Sequence, residues 1–167
     1  MKVALALNHF QTRLASLADL AAICAIEDRS FVTPYPPSLL KQLLQEYSQS
    51  FFVATNDAGK ILGYCVCSIK DKSAHLISLA VNSKFRRKGV ATALLRRAIE
   101  SLGANDADQF WLEVKVNNLK AIGLYLKFGF ENAAELKAYY SDGSDAVRMH
   151  LVLRAPNVPE GTGNHEL

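Results

Sequence analysis

The sequence predicts an α/β (α+β) domain: a single mixed, mostly antiparallel sheet with helices on both faces. Three observations carry this. Seven short segments have the alternating, β-branched and aromatic character of strands. Four other segments repeat apolar residues at helical spacing. They interleave in the order βααβββαβαββ, which describes helical layers around one sheet.

The elements follow in order. Gln11 to Ala15 is a short strand. Leu17 to Arg29 is helical, with Leu20, Ile23, Cys24 and Glu27 at three-to-four spacing. The stiff Pro34, Pro36, Pro37 loop follows, and Ser38 is the expected N-cap of a helix running to about Tyr47. Phe51 to Thr55 is a strand, closed by the turn Asn56-Asp57-Ala58-Gly59. Ile61 to Ile69 and His75 to Val81 are strands joined by Lys70-Asp71-Lys72-Ser73. Gly89 to Leu102 is a helix with Val90, Leu94, Leu95, Ala98, Ile99 and Leu102 on one face, and Gly103 is its expected stop. Phe110 to Val116 alternates as a strand. Asn118 caps a short helix that Gly129 ends. Strands at Ala133 to Tyr139 and Ala146 to Leu153 flank the turn Ser141-Asp142-Gly143-Ser144.

The 167 residues suit one domain, read as residues 10–154 between an N-terminal extension (1–9) and a tail (155–167). The tail is rich in Pro, Gly, Asn and Glu, lacks periodicity and reads as disordered. No apolar run approaches the ~20 residues of a membrane span, and no signal peptide is evident. Cys24, Cys65 and Cys67 are a sparse, odd set, read as buried thiols of a reducing cytoplasm and not as metal ligands. A net charge of +3 excludes a polycation that coats nucleic acid. The charge is nonetheless local. Between Lys84 and Glu100 six cations (Lys84, Arg86, Arg87, Lys88, Arg96, Arg97) meet one anion, Glu100; the rest of the chain holds 13 cations and 15 anions.

Two segments carry chemistry. Lys84-Phe85-Arg86-Arg87-Lys88-Gly89-Val90-Ala91-Thr92 lies between a strand and a helix. Small residues at Gly89 and Ala91 let backbone N–H groups approach a ligand, and a helix N-terminus favours phosphate. The segment is neither a Walker loop nor a dinucleotide fingerprint. Taken alone, it also suits a solvated basic loop. The second segment is Trp111-Leu112-Glu113-Val114-Lys115-Val116-Asn117-Asn118, with Ala121-Ile122-Gly123-Leu124-Tyr125 and Phe128-Gly129-Phe130 after it. Taken alone, Glu113 suits a solvent-side strand position, Asn118 a helix cap, and Tyr125 a core aromatic.

Together these segments resemble the GCN5-related N-acetyltransferase (GNAT) superfamily. Arg86-Arg87-Lys88-Gly89-Val90-Ala91 matches the family's Q/R-x-x-G-x-G/A pyrophosphate loop. Ile77-Ser78-Leu79-Ala80-Val81 resembles its cofactor-binding strand. The Glu113-to-Phe130 block and the Tyr139-Tyr140, Asp142-Gly143, Asp145-Ala146, Met149 hairpin are similar to the RimI-type ribosomal-protein alanine acetyltransferases and their archaeal relatives, which act on protein N-termini. The resemblance spans roughly Thr12 to Leu153. It departs at Arg86, where Gln is common, at Ala91 for Gly, and in the loop Phe31 to Pro37, which is not the Phe-Pro-Trp form of the bacterial relatives and lacks the Glu of some archaeal ones.

The resemblance implies direct transfer of acetyl from acetyl-CoA, as co-substrate, to an α-amine through a tetrahedral intermediate. An α-amino group of pKa ~8 loses its proton far more readily than lysine at ~10.4. Glu113 matches the general base and Tyr125 the general acid on the CoA thiolate. Leu79, Ala80 and Val81 match the strand that holds the cofactor arm and supplies an oxyanion donor. Arg86, Arg87, Lys88, Gly89, Val90, Ala91 and Thr92 match the phosphate seat, and Asn118 a contact to the cofactor arm. Phe31, Tyr35, Tyr139 and Tyr140 are the expected substrate contacts. His75 and His150 fall on strands and need no catalytic role. The implied partner is a protein or peptide N-terminus, a ribosomal protein among the candidates, with no nucleic acid, membrane or metal. The expected state is a monomer or weak dimer in the cytoplasm. Alternatives are a small amine or lysine substrate, or an acyl-CoA-binding module without turnover.

Overall fold

Seven strands and four α-helices follow one another in the predicted order among the described residues. The structure is a computed structural model and describes residues 9–153. The tail and, apart from His9, the N-terminal extension lie outside the described residues.

Strands β1 (Phe10–Leu14), β2 (Phe51–Asn56), β3 (Ile61–Lys70), β4 (Ser73–Val81), β5 (Gln109–Lys115), β6 (Glu131–Leu136) and β7 (Ala146–Val152) form one sheet in the order β1-β2-β3-β4-β5-β7-β6. Every neighbouring pair is antiparallel except β4 and β5. Helices α1 (Leu20–Ser30) and α2 (Pro37–Glu46) cover one face. There Ile23, Leu40 and Leu44 pack on Phe51, Val53, Tyr64 and Val66. Helix α3 (Val90–Ala104) covers the other face with α4 (Leu119–Lys127). There Leu94, Leu95 and Leu102 pack with Phe52, Phe110, Leu112 and Tyr125. Consecutive residues such as Phe51 and Phe52 thus serve opposite cores, as the period of two requires. Cys65 and Cys67 share the α3 face as buried free thiols, 4.0 Å apart.

Of the boundaries that differ from the sequence reading, four have a local physical reason. One 3-10 turn (Leu17–Asp19) precedes α1, where Asp19 accepts from the Ser16 N–H at 2.8 Å and pairs with Arg13. Helix α2 begins at Pro37, not after Ser38, because proline lacks only an N–H that the first turn leaves unpaired anyway. Helix α3 runs through Gly103 and stops at Asn105. Glycine costs a helix only about 1 kcal/mol, and the Asn105 N–H still closes the last turn on the Ser101 carbonyl at 3.1 Å. Asn105 then turns its side-chain amide onto the Ser101 carbonyl at 2.7 Å. Strand β6 ends at Leu136, short of Tyr139, because Ala138 takes φ +49° and donates its N–H to Asp145 at 2.8 Å. Tyr139 and Tyr140 therefore sit in the β6–β7 connection.

One irregularity positions everything that follows. Val66 pairs with Ser78, but Cys67 pairs with Leu76, so Ile77 is an extra residue bulged out of β4. The bulge resets the alternation. Before it, Ala74 and Leu76 face α3; after it, Ala80 faces α1 and Val81 faces α3.

Candidate active site

The parallel strands β4 and β5 pair only at Ser73–Gln109, Ala74–Phe110 and His75–Trp111. Beyond that point they separate and leave a gap through the sheet. The Asn82 N–H reaches back to the Leu62 carbonyl at 2.8 Å, so alternation turns Ala80 toward β3 and turns the backbone groups of Leu79 and Val81 toward the gap. Sequence reasoning alone does not show this splay, because it depends on the bulge and on how far the two strands stay paired.

The phosphate-type loop stands at one end of the gap. A 3-10 turn (Ser83–Phe85) is capped by the Asn82 carboxamide, which accepts from the Lys84 N–H at 3.1 Å. Arg86 then donates Nε to the Val81 carbonyl at 3.1 Å, so this cation braces the loop against β4. Arg87 and Gly89 take φ +61° and +85°. A non-glycine residue in that region is strained, and such strain collects at ligand-binding turns. Gly89 N-caps α3 without a side-chain hydrogen bond, and no acidic residue occupies the first turn. The N–H groups of that turn therefore lack intrahelical partners and carry the positive end of the helix dipole. They open onto a groove of about 760 Å³ between the loop, β4 and α4. Every predicted cofactor residue except Lys88 lines this groove, and so do Ser30, Phe85, Leu119, Lys120 and Lys127. Lys120 and Lys127 add positive charge from α4, spaced two turns apart. The groove can hold an extended polyanion with its phosphates at the α3 N-terminus.

Tyr125 ends the groove from the α4 side. It is 7% exposed, packs against Phe130 and lies in the α3-face core. Burial first, and then the neighbouring Cys65, Tyr140 and Cys67, push its phenol far above the ordinary range. It therefore stays protonated. Asn118 caps α4 by accepting the Ala121 N–H at 3.2 Å and also lines the groove, so both of its predicted roles fit one position.

Glu113 lies on the opposite face of the sheet. Leu112 and Val114 point into the α3-side core, so Glu113 points away from it. It does not face open solvent: its side chain is 7% exposed. Nε2 of His75 lies 2.8 Å from Oε2, and Nη2 of Arg148 donates to Oε1 at 2.9 Å. Burial raises the carboxyl's pKa, but the hydrogen bonds and charges of His75 and Arg148 outweigh it and hold Glu113 below the usual carboxylate range. Trp111 locks the group in place. The His75 ring stacks on it at 3.9 Å and 18°, and the Arg148 guanidinium lies 5.0 Å from its ring centre.

The tyrosines gather near this carboxylate. Tyr35, Tyr139 and Tyr140 are raised above the phenol range by burial first, with the Glu113 charge contributing to each; Tyr140 is pushed up to about 12. Tyr139 and Tyr140 meet edge-on at 5.1 Å. Lys115 holds their loop through Asp142 at 2.6 Å and lies 5.2 Å from the Tyr140 ring centre. Thr33 Oγ1 and Ser141 Oγ, 3.4 Å apart, join the α1–α2 loop to the β6–β7 loop. Phe31 departs from the other predicted substrate residues, because it lines the groove on the cofactor side. From sequence, His75 needs no catalytic role and neither Trp111 nor Arg148 is marked as a site residue, yet all three surround Glu113. Strand pairing reveals who neighbours whom: Glu113 lies opposite Arg148, and His75 opposite Trp111.

The groove at the α3 N-terminus and the buried Glu113 with its partner His75 thus lie on opposite faces of the sheet where β4 and β5 part. Residues 20–130 match the acetyltransferase (GNAT) family. An N-alpha-acetyltransferase of Sulfolobus acidocaldarius is 35% identical over 154 residues, covering 84% of this chain and 91% of that protein. The crystal structure of Ard1 from Thermoplasma volcanium superposes with a TM-score of 0.83 at 32% identity, covering 87% of this chain and 99% of that one. The ribosomal-protein-S18-alanine N-acetyltransferase of Escherichia coli superposes with a TM-score of 0.80 at 28% identity, covering 89% and 98%. Family match, sequence identity and superposition of the whole sheet with its helices agree, and the chain belongs to the acetyltransferase (GNAT) family.

Proposed function

We propose that this acetyltransferase moves the acetyl group of acetyl-CoA onto the α-amino group of a protein or peptide N-terminus by direct attack. The observation that carries the reading is the gap between β4 and β5, with the phosphate groove and Tyr125 on one side and the His75–Glu113 pair with its tyrosines on the other. A thioester enters from the first side and an amine from the second. The two meet without crossing the sheet elsewhere.

The residues have distinct tasks. The phosphates of acetyl-CoA rest on the α3 N-terminus, with Arg87 and Gly89 shaping the turn and Arg86 bracing it. The cofactor arm runs along Leu79 to Val81, whose gap-facing N–H groups are available to the developing oxyanion. The amine must lose a proton. Glu113 is a weak base by itself, because both of its oxygens are engaged and its pKa is depressed. With Nε2–H of His75 donating to Glu113, Nδ1 becomes the basic nitrogen of that ring. The His75–Glu113 pair, acting directly or through one water, is the base, and Glu113 orients and stabilises the imidazolium. Tyr125 donates a hydrogen bond to the departing thiolate. Its raised pKa disfavours complete proton transfer to a thiolate of pKa ~8.5, so its contribution is stabilisation of the leaving group. Tyr35, Tyr139 and Tyr140 hold the first residues of the substrate under the Thr33–Ser141 bridge.

Two proteins this chain resembles are by name an N-alpha-acetyltransferase and a ribosomal-protein-S18-alanine N-acetyltransferase, which supports a protein N-terminus as the acceptor. The reading implies a cytoplasmic enzyme meeting newly exposed N-termini. The test is a panel of peptides differing only in the first residue, incubated with acetyl-CoA and read by mass spectrometry, beside N-terminally blocked peptides that contain lysine. Acetylation of free N-termini is the expected result. Acetylation confined to the blocked peptides would overturn the reading.

A further inference from the structure

The α1–α2 loop covers the amine side of the gap, and its sequence cannot tie it down unaided. In Pro34-Tyr35-Pro36-Pro37 only Tyr35 carries a backbone N–H. That N–H is donated to Oε1 of Glu27 at 2.9 Å. The same residue's backbone carbonyl accepts the Phe31 N–H at 3.1 Å, so Glu27 grips the loop at both ends. Glu27 is 2% exposed, in the middle of the α1–α2 core. Its other oxygen accepts from the Tyr64 hydroxyl of β3, which also hydrogen-bonds to Ser78 Oγ of β4 at 2.9 Å. A carboxylate so deeply buried is expensive, and an aliphatic side chain would pack there at lower cost. What the carboxylate adds is a rigid link from the bulged strand β4, through Tyr64, to the backbone that carries Tyr35.

We infer that Glu27 is a positioning residue for substrate recognition: it fixes the peptide-reading loop to the sheet and so sets the enzyme's affinity for, and discrimination among, N-termini. The inference rests on the proposed function for what the loop reads, but not for the anchor itself. Glu27 touches neither reacting group, so it acts through the position of Tyr35 and the loop.

Steady-state kinetics with the full chain test it. Glu27→Met fills the volume and removes both acceptors. It should raise the peptide KM about tenfold, the scale of one lost hydrogen bond, flatten the first-residue preference, and leave the acetyl-CoA KM within about twofold. Glu27→Gln keeps an acceptor for Tyr35 and should restore both peptide KM and preference. A parallel rise in both KM values, or no change in either, would overturn the inference, as would failure of the glutamine variant to restore selectivity. Amide hydrogen exchange in the wild-type chain gives a reading that survives a poorly folding variant. The Tyr35 N–H should be strongly protected although prolines flank it in a loop, and rapid exchange there would sink the anchor. If the wild type acetylates no free N-terminus, the proposed function fails while protection at Tyr35 still decides the anchor.

Discussion

His75 and Glu113 lie 38 positions apart in sequence, yet Nε2 of one is 2.8 Å from Oε2 of the other, at the point where β4 and β5 part. Because Glu113 is held below the usual carboxylate range, it is ionised at neutral pH. The activity profile near neutrality should then show no step from protonation of the carboxylate. Glu113→Gln and His75→Ala should each lower kcat/KM by about 100-fold, the scale of general base catalysis. The double variant should lose little more, because the two act as one unit. Stopped assays between pH ~5.5 and ~8.5 check this; additive losses would mean two independent roles.

Tyr125 tests the leaving-group side. Its phenol is raised by burial, so it stays protonated to pH values above ~10. Wild-type kcat should therefore show no alkaline fall below that limit from this residue. Tyr125→Phe should reduce kcat about tenfold to 100-fold evenly across the range, with the acetyl-CoA KM little changed. A kcat that drops in the wild type above pH ~8.5, and loses that drop in the variant, would show the phenol ionising.

Gly89 tests the phosphate seat. With φ +85° and no atom near the position of an added Cβ, its requirement is conformational and not steric. Gly89→Val should weaken acetyl-CoA binding at least tenfold by calorimetry and cost about 1–2 kcal/mol in stability. Arg87→Gly accepts the same left-handed backbone. It should weaken binding by loss of charge without that loss of stability.

Asp19 tests acid stability away from the site. It is 7% exposed and pairs with Arg13 at 2.8 and 2.9 Å. The Arg13 hydrogen bond leads the interactions that lower its pKa, so the folded state holds its proton less tightly than the unfolded chain. Its stabilisation is complete above the ordinary carboxylate range and disappears as pH falls through the lowered value. Asp19→Asn should lower the melting temperature at pH ~7 and make it fall less steeply between pH ~4 and ~2. Equal losses at both ends would assign the effect to packing.

The sheet, its strand order along the chain and the phosphate loop were legible because each rests on local pattern. Phe110 to Val114 alternates, α3 repeats leucines at helical spacing, and Gly89 ends a cluster of cations. Gly103 and Tyr139 misled for the same reason. Glycine is a local stop signal that the helix runs past, the Asn105 N–H still closing on the Ser101 carbonyl, and a Tyr-Tyr pair has strand character that the Ala138 N–H, donated to Asp145, cuts short. In the site, the groove residues were found from their motif. Arg148, Trp111 and His75 were not, since nothing in their own neighbourhood distinguishes them from ordinary strand residues.

The sequence by itself determined the fold class and the family resemblance, because periodicity and a loop motif are properties of adjacent residues. Tertiary structure alone decided that Glu113 is buried, who shares its two oxygens, and that the loop bearing Tyr35 hangs from Glu27. Those facts depend on the register between strands distant in sequence and on one extra residue, Ile77, that turns the end of β4 to face the gap. Hydrogen bonds and burial act through distances of a few ångströms, and only the folded chain brings residues so far apart in sequence within that range.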